Sequence, residues 1–360
     1  MALSKEISIN THILLRIYRV RGRMRRPDAY AYALARVYAK RSYMLKAEDF
    51  ENMARAISYQ QALRYLASTS YGPYIASAEE VMDVDRGLAQ SYNDLFEELT
   101  RLVSGKAKAY IELSKYKHEL EVLKAILRAK FSNVPKTEAL RLIVPVGRYG
   151  PEVCEKLIGA RDTSTAIFMV QDEELKGRLH VALKGAEELK SPYPLELAVD
   201  RYAYGLLGKA VEELKGLDRD WVRRLLGEEV DLKNFMVCLR LKSMGVKDYK
   251  NYLLPYKFRF TVEMASKAMS APTLSEALTV VKDLWGEVPK ATSLTEVEAH
   301  LLRRLAKVNA AIFLHYGFHV GILQALLNLK FFEVRNLKAL LIGKSEGLPA
   351  EDIMSRLILH

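Results

Sequence analysis

A chain of 360 residues, 50% hydrophobic and 28% charged, can bury a large core, which excludes a disordered chain and allows two or three domains. The formal net charge is +11, but seven cations and one acid in the first 26 residues supply +6 of it and leave +5 for the rest. The body is therefore only mildly basic. This argues against a nucleic-acid-binding face on the folded part and leaves contact with an anionic lipid surface open.

The chain has two cysteines, Cys154 and Cys238, with no CxxC pair and no secretory signal of the usual order. A reduced, cytosolic setting is the simplest interpretation. Cys238 occupies an apolar position of a helical pattern described below, so we expect it to be a core residue rather than a reactive thiol.

The first 26 residues differ from the rest of the chain. Segment 13–21 mixes apolar residues with arginines and fits a basic amphipathic helix, but Gly22 interrupts the pattern and Pro27 ends it. Nothing downstream repeats it. Two interpretations remain open. The segment is an arm that binds a membrane surface or a partner, or it is a flexible tail without a function of its own, which would also be the case if the start were assigned too far upstream and Met24 were the true start.

From Tyr30 onward the apolar residues recur at helical spacing. Tyr30, Ala33, Leu34, Val37 and Tyr38 form one stripe with basic residues outside it. Tyrosines among arginines can stack on RNA bases, but tyrosines on an apolar stripe are more often core residues. The same spacing predicts further helices over 48–55, 58–67, 79–102 and 106–130, and no run shows the alternation of a strand.

Two stretches of strong turn signals, 147–151 and 254–256, divide the chain. Helical spacing continues after the first of them, over 152–158, 163–184 and 195–215. We therefore predict an all-α protein with a basic N-terminal extension and three helical modules. The predicted bounds are 1–29 for the extension and 30–150, 151–255 and 256–360 for the modules.

Residues 308–329 carry no formal charge and are long enough to span a bilayer. A membrane span here would place Asn309, His315, His319, Gln324 and Asn328 in lipid, which is unfavourable. We therefore expect a central, almost fully enclosed helix over this stretch.

A six-position pattern occurs three times: an acid, two apolar residues, a lysine, a residue that tolerates left-handed backbone, and an aliphatic residue. The copies are Glu119, Leu123, Ile126, Lys130, Asn133 and Val134; Asp231, Phe235, Cys238, Lys242, Gly245 and Val246; and Glu333, Leu337, Leu340, Lys344, Gly347 and Leu348. At about 100° per residue, the first four positions share one helix face. We interpret each copy as a closing helix, with the acid in the first turn, the lysine in the last turn, and a positive-φ residue after its end.

A second landmark repeats in the same order. Ser58 and Thr273 have the form of helix N-caps with Gln61 and Glu276 three positions later, and Asp162 begins a weaker third copy. Two landmarks in the same order indicate one architecture built from copies.

The third copy also resembles a known family. Glu333, Arg335, Asn336, Lys344 and Gly347 match the C-terminal signature of the C subunit of archaeal and bacterial A/V-type ATP synthases, the counterpart of the d subunit of the vacuolar ATPase. Stretches 30–37 and 62–74 resemble earlier landmarks of that family. Two departures are the extra N-terminal stretch and Ile342, where the earlier copies have Arg128 and Arg240.

The resemblance implies a funnel with approximate threefold symmetry and no catalytic role. In this family the subunit is part of the central stalk. It sits on the membrane proteolipid ring at the cytoplasmic face of the cell membrane, receives the central axle, and transmits torque between ion translocation and ATP synthesis or hydrolysis. No cofactor and no nucleic acid are implied. The alternative is a helical repeat scaffold that binds RNA or protein through its basic N-terminal arm.

Two patterns that suggest chemistry do not meet its requirements. Gly343-Lys344-Ser345 resembles the end of a phosphate-binding loop, but Lys338 stands where that loop needs a glycine. His315 and His319 are four residues apart, as two metal ligands on one helix face are, but no third ligand is suggested and Tyr316 follows where an acid is expected. We predict no catalytic, cofactor-binding or metal-binding residues.

Overall fold

The computed structural model describes residues 26–76, 78, 81–286, 291–315 and 317–359. Every regular element in these ranges is a helix, and the β-bridge found there is an isolated pair between Val146 and Tyr149. The predicted all-α class is confirmed. The basic segment 1–25, for which we expected an arm or a tail, lies outside the described residues.

The helices are numbered here in chain order. The first part of the chain contains α1 (Arg26–Ser42), α2 (Ala47–Arg55), α3 (Tyr59–Ala67), α4 (Gly72–Ile75), α5 (Val81–Thr100), α6 (Gly105–Phe131) and α7 (Lys136–Leu142). The middle part contains α8 (Pro151–Ile158), α9 (Thr163–Phe168), α10 (Glu173–Leu189), α11 (Tyr193–Glu213), α12 (Gly216–Ser243) and a 3₁₀ turn (Lys250–Tyr252). The last part contains α13 (Val262–Ser270), α14 (Leu274–Thr279), α15 (Lys282–Trp285), α16 (Leu294–Ala311), a 3₁₀ turn (Ile312–Leu314), α17 (Val320–Ser345) and α18 (Ala350–Arg356).

Three short helices begin at the N-caps read from the sequence. The side chain of Ser58 accepts a hydrogen bond from Gln61 N at the start of α3, and Thr273 does the same with Glu276 N at α14. Asp162 accepts from Thr165 N at α9. Each cap satisfies a backbone donor that the first turn leaves without an intrahelical partner.

The helices α6, α12 and α17 are named here the closing helices, and they start well before the acids of the sequence pattern. Glu119, Asp231 and Glu333 lie well inside these helices. Our prediction that they lie in the first turn, where their charge would favour the helix dipole, is therefore wrong. In α17 every residue from Val320 to Val334 is buried. The first half of α17 is buried on all sides, so its residues show no exposed polar face that would mark where the helix begins.

The single helix expected over 308–329 is also wrong. The chain leaves α16 after Ala311, makes a 3₁₀ turn, and re-enters a helix at Val320. Gly317, with φ of 99°, lies in this break and adopts a conformation that favours glycine. The second half of the stretch is the enclosed part of α17.

The helix predicted over 163–184 is two helices, α9 and α10. Asp172 starts α10 by accepting a hydrogen bond from Leu175 N at 3.0 Å. The hydroxyls of Tyr116 and Tyr202 also donate to Asp172, at 2.9 and 2.7 Å. This carboxylate therefore fixes the start of a new helix in the middle of the apolar pattern.

The N-terminal ends of the closing helices lie together at one pole of the molecule. Lys106 at the start of α6 pairs with Glu213 at the end of α11, at 3.2 Å, and Asp218 in α12 accepts from Val320 N of α17 at 2.8 Å. We call this the tip pole; it comprises the connections 101–105, 214–217, 312–315 and 317–319. At the opposite, turn pole lie the C-terminal ends of the closing helices and the turns 56–58, 160–162 and 271–273.

Helix α1 joins the beginning and the end of the chain. The Tyr38 hydroxyl donates to the backbone oxygen of Phe313 at 2.7 Å, and the Arg41 guanidinium lies 4.3 Å from the centre of the Phe313 ring. On its other side, Lys40 pairs with Glu98 of α5 at 2.6 Å. One continuous hydrophobic cluster, from Val37 to Ile358, underlies these contacts.

Candidate functional site

The three copies of the sequence pattern each contact another part of the chain, and we call these three contacts seams. At the first seam, α6 faces the start and the end of α8. The Glu119 carboxylate accepts hydrogen bonds from Arg148 N at 3.0 Å and from Arg148 Nε at 2.6 Å. Lys130, near the C-terminal end of α6, donates to the backbone oxygen of Ala160. One closing helix thus fixes both ends of the helix that follows the boundary.

The second seam, between α12 and α13, has the same contacts. Asp231 accepts from Arg259 N at 3.1 Å and from Phe260 N at 2.9 Å, just before α13 begins. Lys242 donates to the backbone oxygens of Ala268 and Ala271, at the end of α13.

The third seam joins α17 to α2, at the other end of the chain. Leu45 N donates to Glu333 at 2.7 Å, and Lys344 donates to the backbone oxygens of Ala54 and Ala56 at the end of α2. The third closing helix therefore contacts a helix near the start of the described chain, as the other two contact a helix that follows them. The order of the seams is cyclic.

Each closing helix also ends in the same way. Asn133, Gly245 and Gly347 have φ of 53°, 72° and 70°, so the left-handed backbone expected at these positions is present. The residue after each of them donates its backbone N–H to the last turn of the helix: Val134 to Ala129 at 2.9 Å, Val246 to Leu241 at 3.0 Å, and Leu348 to Gly343 at 2.9 Å. These are the hydrogen bonds of a Schellman cap.

The acid of the third seam has additional partners. Glu333 also accepts from the Tyr71 hydroxyl at 2.7 Å and from Lys330 Nζ at 2.9 Å, and Lys330 lies 4.0 Å from the centre of the Tyr71 ring. All three side chains are buried. Burial and the Glu333 charge raise the pKa of Tyr71 well above its usual value, so Tyr71 stays a neutral donor.

The exception at Ile342 has a counterpart in the structure. Arg128 pairs with Glu196 of α11 at 2.7 Å, and Arg240 pairs with Glu298 of α16 at 2.6 Å. In α17 the cation comes from Lys338, about one turn before Ile342, and binds both oxygens of Asp85 of α5 at 2.6 Å. The third seam therefore keeps an ion pair but buries it.

The remaining signature residues, Asn336 and Arg335, differ in their partners. Asn336 binds both the N–H and the carbonyl of Ile358, each at 2.9 Å. Arg335 is part-exposed, and its guanidinium lies 5.9 Å from the centre of the Phe331 ring. Within the described ranges no hydrogen-bond acceptor contacts it.

A buried polar network that sequence reasoning missed joins the three closing helices. Lys117 of α6 binds both oxygens of Glu229 of α12, at 2.9 and 2.7 Å, and also reaches Asn328 of α17 at 3.3 Å. His118 contacts the same Asn328 oxygen at 2.9 Å, and Tyr204 donates to Glu229 at 2.6 Å. Lys117 and Glu229 each lie two residues before the acid of their own copy of the pattern. A comparison of the copies could have identified both residues from this shared position.

The two cysteines are both buried, as expected for Cys238. Burial raises the thiol pKa of Cys154 and of Cys238 to about 12, so neither is a thiolate at neutral pH.

The two histidines do not share a helix face as the sequence suggested. His315 follows the 3₁₀ turn within the break, and His319 is the N-cap of α17. Both rings lie against Trp221, with centroid distances of 4.6 and 4.8 Å, and burial lowers the pKa of His319 to about 4. No three His, Cys, Asp or Glu side chains in the described part of the chain are placed to hold a metal ion.

The phosphate-loop resemblance has a structural explanation. Gly343 lies inside the last turns of α17, where a Cβ would come within 2.8 Å of Ile353. Glycine is needed there for helix packing, and Lys344 is engaged with the end of α2.

These features define a class of protein: an all-helical scaffold whose repeated side chains bind the backbone of the same chain. The chain belongs to the ATP synthase (C/AC39) subunit family, whose model matches residues 33–356. It is a structural subunit of that complex rather than a catalytic one. None of the described helices has the length and apolar character needed to cross a membrane.

Several relatives share most of this length. The chain is 24% identical over 344 residues to the A-type ATP synthase C subunit of Methanocaldococcus jannaschii, covering 91% of this chain and 86% of that protein. It is 26% identical over 343 residues to the protein of the same name from Methanosphaera stadtmanae, covering 91% and 88%. A 31% identical match to the V-type ATP synthase C subunit of Thermus thermophilus spans 221 residues, 61% of this chain and 65% of that protein.

Proposed function

We propose that this protein is the central-stalk subunit that docks the rotor axle onto the membrane proteolipid ring and transmits torque between them. The observation that carries the proposal, beside membership of the family, is the cyclic order of the three seams. Three similar modules in cyclic order build a funnel with approximate threefold symmetry, with bounds near 30–150, 151–255 and 256–360. Such a body presents similar surfaces around one axis, which suits a part that joins an axle to a ring.

Torque transmission requires a body that does not shear between its modules. The network of Lys117, Glu229 and Asn328 links the three closing helices near the middle of the molecule, and its members are buried. Buried hydrogen-bonded charges are costly to separate, because each would be left without a partner. This network supports a rigid hub, and the role needs no catalytic group.

The two poles differ in their exposed apolar side chains. At the tip pole Leu217 and Leu314 are 65% and 82% exposed, and Val103 is part-exposed. At the turn pole the corresponding turn residues are Ile57, which is 93% exposed, Pro272, which is small and exposed, and Arg161, which is charged. An apolar side chain at all three tips fits an apolar partner. We propose that the tip pole faces the proteolipid ring and the turn pole faces the axle, at the cytoplasmic face of the cell membrane.

Site-directed cross-linking in native membranes tests this orientation. The native thiols are buried and protonated, so an added surface cysteine is the reactive one. We expect Leu217→Cys and Leu314→Cys, carrying a photoreactive maleimide, to cross-link to the proteolipid ring. Ile57→Cys and Arg161→Cys are the matched variants at the other pole and should cross-link to the axle.

The outcomes separate orientation from function. Cross-links to the ring from the turn pole alone would reverse the orientation and keep the function. Affinity purification that recovers ribosomal proteins or tRNA, with neither ring nor axle proteins, would overturn the function and favour the scaffold alternative.

A further inference from the structure

A cavity of about 480 Å³ lies at the third seam, between the end of α1, the start of α2, α17 and the last residues of the chain. Its apolar lining includes Phe50, Leu329 and Phe332. Ser42 and Lys46 line it and are exposed, so the cavity reaches the surface. Its volume falls in the range of pockets that hold one small organic ligand.

The first seam is filled where the third is not. Arg148, which donates to Glu119, lays its guanidinium 4.3 Å from the centre of the Tyr116 ring and covers the acid.

The second seam is filled by an aromatic ring and an arginine. Phe258 covers Gly227 so closely that a Cβ there would come within 2.3 Å of its ring, and Arg259 pairs with Glu228 at 2.5 Å. At the third seam the equivalent donor to the acid is Leu45, which has no guanidinium to place over it. The cavity therefore arises where one copy lacks the side chain that covers the other two.

The cavity carries positive charge that no carboxylate of the described residues neutralises. Arg41 and Lys46 both line it, and neither pairs with a carboxylate among the described residues. The acid that lines the cavity, Glu333, is already engaged by Leu45 N, Tyr71 and Lys330. Two cations next to an apolar floor match a ligand with one anionic head and a short apolar chain.

We propose that this cavity binds one small amphiphilic carboxylate. The carboxylate lies between Arg41 and Lys46, and the aliphatic chain packs on Phe50, Leu329 and Phe332. This site goes beyond the proposed function and does not rest on it, because it follows from the cavity and its charges alone.

Calorimetry on the full-length protein with octanoate tests the proposal. We expect saturable binding with one site per chain, weaker binding of 1-octanol, which lacks the charge, and no binding of acetate, which lacks the chain. Lys46→Gln should weaken octanoate binding roughly tenfold, about 1.4 kcal/mol, while Lys257→Gln, at another exposed lysine that does not line the cavity, should not.

A cavity-filling pair separates the site from general fatty-acid binding. Ser42 ends α1, lines the cavity, and donates its hydroxyl to Ala39 O at 2.7 Å. Ser243 ends α12 with the same kind of bond, to Arg240 O at 2.8 Å, and does not line the cavity. Ser42→Trp should abolish octanoate binding and Ser243→Trp should leave it unchanged.

Three results would overturn the proposal. The first is the absence of saturable octanoate binding to the full-length chain. This result would count against the proposal even if residues 1–25 or a partner occupied the cavity. The second is binding that survives in Ser42→Trp. The third is octanol binding as tightly as octanoate, which would remove the role of the cations.

Discussion

The second and third seams use the same contacts over very different distances along the chain. Asp231 holds a backbone N–H 28 residues away, whereas Glu333 holds one 288 residues away. The second seam has the part-exposed pair Arg240–Glu298, with side chains 27% and 39% exposed. The third has the pair Lys338–Asp85, at 4% and 6%. The seam that closes the chain on itself is the one that relies most on buried charge.

This difference affects both stability and specificity. Closing a loop of 288 residues instead of 28 costs about 2 kcal/mol more entropy, so the third seam needs only a modest extra stabilisation. A buried ion pair adds little net stability, but it strongly disfavours any arrangement in which one partner is left buried alone. The third seam is therefore the place where a wrong register between the ends of the chain is most costly.

The largest effect is expected at the buried pair. Lys338→Ala leaves Asp85 buried without its cation, and we expect the free energy of unfolding to fall by about 3–5 kcal/mol. Burial raises the pKa of Asp85, so part of the loss should be recovered at acidic pH, where Asp85 becomes neutral. Urea unfolding at two pH values measures both effects.

The matched control is the part-exposed pair of the second seam, Arg240–Glu298. Arg240→Ala should cost about 1 kcal/mol or less, because water screens both partners. The double variant Lys338→Met/Asp85→Leu should regain most of the stability lost in Lys338→Ala. Equal losses in Lys338→Ala and Arg240→Ala would show that burial does not distinguish the two seams.

The second prediction concerns the pH dependence of the second seam. Burial raises the pKa of Asp231 from 3.8 to about 6, despite the hydrogen bonds from Phe260 N and Arg259 N. A carboxyl group with a raised folded-state pKa stabilises the protein fully below its unfolded pKa, near 4. That contribution is lost as the pH rises through about 6. Wild-type protein should therefore lose about 2–3 kcal/mol between pH 4 and pH 7 relative to Asp231→Asn, which does not titrate.

Urea unfolding of both proteins across this range measures the difference, and comparison with the variant cancels the other carboxylates. A difference that stays constant from pH 4 to pH 7 would show that Asp231 keeps an ordinary pKa in the folded protein.

How far the sequence predicted these features depends on the range of the interactions. The caps at Ser58, Asp162 and Thr273 and the left-handed residue Gly347 were predictable, because each depends on hydrogen bonds within a few residues. The start of α17 was not, because a helix that is buried all round has no polar face to mark its ends.

The contacts between distant residues were also beyond the reach of sequence patterns. Nothing local to Lys338 shows that Asp85, 253 residues away, lies against it. The break before α10 did leave a signal, since Asp172 is followed by two glutamates in the manner of a helix start. The apolar pattern on both sides hid it.

The third prediction uses Gly347 of the third seam. A Cβ there would meet nothing within 4 Å, so the cost of a substitution comes from the backbone conformation alone. Gly347→Val should destabilise the protein by about 1–2 kcal/mol, and Gly347→Asn by less, because Asn133 already adopts φ of 53° at the first seam. Thermal unfolding of the two variants side by side gives the order. If valine is tolerated as well as asparagine, the strain argument fails at this position.

The smallest effect on stability is expected for Arg335, which lies on the same closing helix as the other signature residues. Glu333, Asn336 and Lys344 each bind backbone in the same chain, which accounts for their places in the signature. Arg335 has only a distant ring contact among the described residues, so Arg335→Gln should change the free energy of unfolding by less than about 1 kcal/mol.

A side chain that the isolated fold does not need is available to a partner. We therefore expect Arg335→Gln to reduce recovery of ATP synthase partner subunits in affinity purification, while the matched change at the exposed Arg356, Arg356→Gln, leaves it intact. A large loss of stability in Arg335→Gln would instead place its role within the fold.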